Sequence, residues 1–161
     1  MNTVIVYGSR YGNTRTVAES IAGVLRRQGS VRILSAQESA GIAWPEVDLL
    51  VVGGPTEAHG ITPALEDFFA ALPAGCLWGK AAAAFDTRLR WPRWLSGSAA
   101  SGISHRLAEA GANIVAPKAS FLVAGSPPVN KPGELERASR WAIALTGALN
   151  SQPVPALAAS R

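Results

Sequence analysis

The sequence predicts an α/β domain: an open, doubly wound parallel sheet with helices on both faces. Two observations carry this. Short apolar, often β-branched runs alternate with segments of helical periodicity across the first 149 residues, the rhythm of a parallel sheet with crossover helices. The strongest runs are apolar throughout rather than at every second position, as strands covered on both faces must be. In such sheets ligands sit at the carboxyl ends of the strands, so the loops there are where chemistry is to be sought.

Thr3–Gly8 (TVIVYG) reads as the first strand. Asn13–Gln28 follows as a helix, with Val17, Ile21, Val24 and Leu25 at helical spacing and Gly29-Ser30 as its stop. Val31–Leu34 is a short second strand, and Ala36–Trp44 is too mixed to assign. Asp48–Gly54 (DLLVVGG) is the strongest strand in the chain. Leu65, Phe68, Phe69 and Leu72 mark a helix entered through Thr62-Pro63, where proline suits the first turn. Lys80–Asp86 (KAAAAFD) is alanine-rich enough for a helix, but it is short and follows Gly79, which favours a fourth strand. A loop rich in Arg and Trp is expected over Thr87–Leu95. Ser98–Ala110 carries Ile103 and Leu107 and closes at Gly111 as a helix. Asn113–Val123 is the fifth strand region, broken at Pro117, and Gly133–Leu149 the last helix. Residues 1–150 thus form one domain, and 151–161, with Pro153 and Pro155, a flexible tail.

Composition narrows the function classes. With 161 residues, 48% of them hydrophobic, the chain is long enough for one substantial core. No apolar run approaches the roughly 18 residues that cross a bilayer, and the N-terminus enters a strand with no basic leader. The single cysteine, Cys76, leaves no internal disulfide and no multi-cysteine metal site. A cytoplasmic location is expected. The net charge of +4, supplied mainly by arginine, favours acidic partners or anionic ligands. The arginines are dispersed and form no basic helix, so no nucleic-acid partner is expected.

Three strand-end loops carry the candidate chemistry. Gly8-Ser9-Arg10-Tyr11-Gly12-Asn13-Thr14 opens directly into a helix, whose N-terminus attracts anions. Ser9, Asn13 and Thr14 add side-chain donors, and Gly12 admits a close backbone approach. The spacing fits neither G-x-G-x-x-G nor a P-loop, so a single phosphomonoester suits it better than a nucleoside triphosphate. An ordinary capped helix start reads equally well. Gly54-Pro55-Thr56-Glu57-Ala58-His59-Gly60 is a shaped loop able to run along a planar ligand. His59 has no partner at metal-ligand spacing and reads as a loop or ring-edge residue rather than a base. The third loop holds Asp86, Arg88, Arg90, Trp91, Arg93 and Trp94. Its tryptophans either stack on a flat ligand or pack back on the domain, and its arginines either bind anions or face solvent.

These residues resemble the flavodoxin family over Thr3 to about Leu149. VIVYGSRYGNTRTVAESIA (Val4–Ala22) looks like the family's phosphate loop, and DLLVVGGPTEAHG (Asp48–Gly60) is similar to its second flavin loop. AAFDTRLRWP (Ala83–Pro92) stands where the third lies. The resemblance implies a five-stranded sheet in the order 2-1-3-4-5 and FMN as cofactor. Ser9, Arg10, Tyr11, Gly12, Asn13 and Thr14 would wrap the phosphate. Pro55, Thr56, Ala58, His59 and Gly60 would run beside the ribityl chain and ring, and Asp86, Thr87, Arg88 and Trp91 would close the other side. No catalytic residue and no metal ligand is assigned.

Two departures stand out. Tyr11 replaces the small hydroxyl residue common at that place in the family. The chain is basic where flavodoxins are acidic around the flavin, which changes the partner set and removes charge that opposes an anionic reduced cofactor. The leading expectation is an electron-transfer flavoprotein serving a redox partner protein, one that is acidic in surface. The alternatives are an FMN-dependent oxidoreductase acting on a small planar substrate of quinone, NAD(P)H or porphyrinogen type, and a flavin-free interaction module.

Overall fold

The computed structural model describes residues 1–57, 60–90 and 97–151. In chain order they form β1 (Asn2–Tyr7), α1 (Asn13–Leu25), β2 (Ser30–Ser35), two 3-10 turns (Ala36–Gly41 and Trp44–Glu46), β3 (Leu49–Pro55), α2 (Pro63–Ala70) and β4 (Ala81–Leu89). There follow α3 (Ala99–Glu109), β5 (Asn113–Ile114), β6 (Ala119–Ala124), β7 (Val129–Asn130) and α4 (Glu134–Asn150). The expected tail, apart from Ser151, lies outside the described residues.

The sheet runs β2-β1-β3-β4-β6-β7, with β5 also on β4. Because β5 and β6 both pair parallel with β4, they are the two halves of the predicted fifth strand, split around Pro117. The sheet therefore has seven strands rather than the expected five, and the expected order 2-1-3-4-5 describes only its parallel part with β5 and β6 counted as one. The antiparallel β7, pairing Val123 with Asn130 and Ala124 with Val129, is an addition that the periodicity does not reveal.

Successive side chains of a strand point to opposite faces, and here both faces are covered. Val4 and Val6 of β1, Leu50 and Val52 of β3, and Ala82 and Ala84 of β4 meet α2 and α3 through Leu65, Phe68, Ile103 and Leu107. Ile5, Leu49, Val51, Ala83 and Phe85 meet α1 and α4 through Val17, Ile21, Leu25, Ala138, Ala142 and Leu145. The alanines of β4 form a strand because β3 pairs with all four along one side and β5 with Ala81 and Ala82 along the other. Helix propensity is weaker than that tertiary pairing.

Phe85 fills the centre of the second layer. Its ring lies edge-on to Phe121 and Trp141, with centroids 6.1 and 6.3 Å away, and it also lies across Gly53. A Cβ at residue 53 would fall 2.0 Å from the ring. The outer edge of β6 is closed by α4. The Leu122 N–H donates to Glu134 Oε2 at 2.7 Å, and Arg137 donates to the Ser120 carbonyl.

β4 is longer than predicted. Thr87, Arg88 and Leu89 stay in the ladder opposite Phe121, Leu122 and Val123, so the expected loop starts three residues late. The partner strand extends that far, and backbone pairing prevails over the polar side chains.

Gly53→Ala should destabilise the domain by about 1–3 kcal/mol through overpacking against Phe85. Urea unfolding measures it, and a loss under about 0.5 kcal/mol would show that the ring can yield.

Candidate functional site

A cavity of about 480 Å³ opens at the carboxyl ends of the central strands, a size usual for a small-molecule site. Its walls come from four chain segments. The loop into α1 gives Ser9, Arg10, Tyr11, Asn13 and Thr14, and the end of β3 gives Pro55, Thr56 and Glu57. The end of β4 gives Thr87, Arg88 and Leu89, and the β6–β7 connection gives Val123 and Pro128.

Gly12 caps α1 with φ +84°, a backbone region that glycine adopts without strain. Its N–H donates to Ser9 Oγ at 2.9 Å. The first helical bond runs from the Thr16 N–H to the Gly12 carbonyl. The amides of residues 13–15 therefore have no acceptor within the helix. The first turn carries no acidic side chain, so nothing in it opposes an anion at the positive end of the helix dipole. Behind this turn the Thr14 and Thr87 hydroxyls meet at 2.9 Å, both buried. They join the first loop to β4.

Asn13 does something other than expected. Its side-chain amide donates to the Pro128 carbonyl at 2.8 Å, and Asn130 Nδ2 donates back to the Asn13 carbonyl at 3.3 Å. This pair holds the β6–β7 turn against α1 and makes Pro128 a wall of the cavity. The Gly-Ser-Pro-Pro run at 125–128 was the sequence signal for this turn, since it follows the carboxyl end of the fifth strand.

Of the second loop, Pro55 and Thr56 line the cavity, while Ala58 and His59 lie outside the described residues. Gly60 lies off the wall. Its φ is +121°, and its N–H donates to the Glu57 carbonyl at 2.9 Å, closing a tight return. Glu57 itself lines the cavity. Of the third set, Thr87 and Arg88 line the cavity and Trp91 lies outside the described residues. Asp86 requires correction. It is fully buried, and its carboxylate points away from the cavity to the start of α3, bonded to Thr56, Ser98 and Ala100. The strand's two-residue alternation separates Asp86 from Thr87. Leu89, Val123 and Pro128 are wall residues that the loop-by-loop reading missed.

Among the described residues, the charged ones in the wall are Arg10, Arg88 and Glu57. Arg88 is 93% buried by area, being only 7% exposed, so its charge acts in a poorly screened place. Glu57 is exposed. Cys76 is remote from the cavity, and burial pushes its thiol up, away from the thiolate that reactive cysteines need. Among the described residues no group of His, Cys, Asp and Glu could hold a metal ion, and no helix is long and apolar enough to cross a membrane.

An anion-ready helix start beside an apolar slot, at the carboxyl edge of a 2-1-3-4-5 sheet, defines a doubly wound mononucleotide-type domain. Residues 4–75 match the family model described as a flavodoxin domain. The fold is similar to that of a flavodoxin from the domain Archaea, with 20% identity, 93% of this chain and 99% of that chain covered, and a TM-score of 0.75. Flavodoxin 2 from Bacillus cereus gives 24%, 91%, 99% and 0.71. The flavodiiron protein from Giardia intestinalis gives 17% identity and a TM-score of 0.72, with 91% of this chain but only 36% of that longer chain covered. No curated protein matches the sequence. The fold is flavodoxin-like, and the cofactor that this resemblance implies is FMN.

The residues present fit that cofactor. Ser9 and Thr14 hydroxyls, the open amides of α1 and the Arg10 guanidinium supply donors for a phosphate dianion. Pro55, Leu89, Val123 and Pro128 supply apolar surface for a flat ring. Asn13→Ala should free the β6–β7 turn and cost about 1 kcal/mol for the lost, partly buried bond. Urea unfolding would register it, together with faster proteolysis at 125–130. Unchanged stability would mean that Asn13 holds nothing.

Proposed function

We propose that the domain binds FMN in this cavity and passes electrons to a redox partner protein. The observation that carries the reading is the coincidence of donor-rich α1 start and apolar slot in one cavity, within a flavodoxin fold. FMN supplies the redox chemistry, and the protein supplies binding, orientation and electrostatics. Ser9, Arg10, Gly12 and Thr14, with the amides of the first α1 turn, hold the phosphate. Pro55, Thr56, Thr87, Arg88 and Leu89 flank the ring from the ends of β3 and β4, and Val123 and Pro128 close the side. Tyr11, half-exposed beneath the Arg10 guanidinium at 5.4 Å, guards the mouth. Ala58, His59, Gly60 and Trp91 complete the set on family resemblance alone. The single cysteine suits a reducing, cytoplasmic setting.

A second reading is favoured by Arg88. A buried guanidinium in the wall stabilises negative charge there, and an oxidoreductase acting on a planar anionic substrate would use it. Such an enzyme turns over a quinone or NAD(P)H quickly and loses that activity when Arg88, Arg90 and Arg93 are neutralised together. An electron carrier shows little such turnover.

The deciding experiment is an absorbance titration of the apo-protein with FMN and with riboflavin. Thr14→Val should weaken FMN by about tenfold or more through the lost charge-assisted bond, and riboflavin far less. Equal losses for the two ligands would remove Thr14 from the phosphate site. The absence of any FMN binding by the native chain would leave the fold without its cofactor.

A further inference from the structure

We propose that Asp86 and Thr56 form a clasp that positions the end of β3, in the cavity wall, against the start of α3, with Asp86 acting as a positioning residue rather than a ligand. One oxygen of the buried Asp86 carboxylate, Oδ2, accepts three hydrogen bonds, each of 2.9 Å. They come from the Thr56 hydroxyl, the Ser98 hydroxyl and the Ala100 N–H. Thr56 Oγ1 in turn accepts from the Ala99 N–H at 3.0 Å, and Ser98 Oγ from the Ser101 N–H at 3.3 Å. Three successive orphan amides of α3 are thus taken by three side chains from three parts of the chain. A helix start normally takes such caps from its own N-cap residue. Here only one of the three is local.

The arrangement fixes two things at once. Thr56 is held from both sides, since its N–H also donates to the Thr87 carbonyl at 2.8 Å. Its hydroxyl hydrogen goes to Asp86 and a lone pair to Ala99, so the side chain serves the clasp and the backbone of 55–57 serves the cavity. Asp86 lies within β4 and Ser98 caps α3, so the clasp also ties β4 to the start of α3. A carboxylate suits this place because the positive end of α3 faces it and its hydrogen bonds are charge-assisted. The other oxygen, Oδ1, is buried with no hydrogen-bond partner among the described residues. All the bonding is concentrated on the oxygen that joins the loop to the helix.

The clasp rests on the FMN reading only for its ligand readout, because it is also measurable without flavin. Thr56→Val and Asp86→Ala are made singly and together in the full chain. Each is titrated with FMN and riboflavin, and amide hydrogen exchange is followed at residues 99–101 of the apo-protein. Each single variant should weaken both flavins by the same factor, about tenfold, leaving the FMN-to-riboflavin ratio unchanged. The double variant should bind within about twofold of the weaker single, as a shared interaction requires. The amides at 99–101 should lose protection in every variant.

Native binding of FMN with unaltered affinity in the single variants would overturn the proposal. So would multiplying losses in the double variant, or a loss confined to FMN. If the native chain binds neither flavin, the cofactor reading fails, and the exchange data alone decide the clasp. Coupled loss of protection then supports it, and independent losses reject it. Should Asp86→Ala not fold, Ser98→Ala takes its place in the cycle with Thr56→Val.

Discussion

Burial of the central strands on both faces is the constraint from which the rest of the molecule follows. β1, β3 and the first half of β4 have no polar face to spare, because helices cover each side. Polar residues enter these strands at their ends, Thr3 at the amino end of β1 and three more at the carboxyl end of β4. Thr87, Asp86 and Arg88 stand there, and each is buried. The small residues of β3 and β4 follow from the same constraint. Gly53 yields its side-chain space to Phe85, and the alanines of β4 let α3 lie close. The cavity lies where this tight packing ends.

The charges at the edge divide by depth. The buried ones are a carboxylate turned toward a helix start and a guanidinium in the cavity wall, while the carboxylate of Glu57 is at the surface. Among the described residues, the depth of the cavity therefore offers a negative ligand hydroxyls and a guanidinium, and the wall's one acid stands at the surface. The acidic flavin surround expected from the flavodoxin resemblance is reduced here, among the described residues, to Glu57.

The strands and the start of α1 were legible because each rests on local, repetitive signals, whereas the sheet order came from the family resemblance. Apolar runs give strands, and Gly-Ser-Arg-Tyr-Gly-Asn-Thr before an amphipathic helix gives a helix start with open amides. What the sequence left unread depends on direction rather than identity. Asp86 and Thr87 are neighbours in the chain, yet one faces α3 and the other faces Thr14. No composition rule assigns those two directions without knowing where the strand ends. The end of β4 was itself hidden, since Thr-Arg-Leu looks like loop until β6 is seen running beside it. Asn13 was read as a donor for an anion because its partner, Pro128, lies 115 residues away. The β6–β7 turn has only the Gly-Ser-Pro-Pro run to mark it, because β7 is two residues long.

The way α4 closes β6 also bears on how the molecule behaves among its own kind. An edge strand with unpaired amides and carbonyls is a template on which another chain can add a strand, the first step toward aggregation. Here the Leu122 N–H is occupied by Glu134, its carbonyl by the Lys131 N–H, and the Ser120 carbonyl by Arg137. The next two residues are held by β7. A foreign strand approaching this side would have to displace a buried carboxylate and a guanidinium before making its first ladder bond. On this flank, the sheet is terminated chemically by side chains of the helix that follows it.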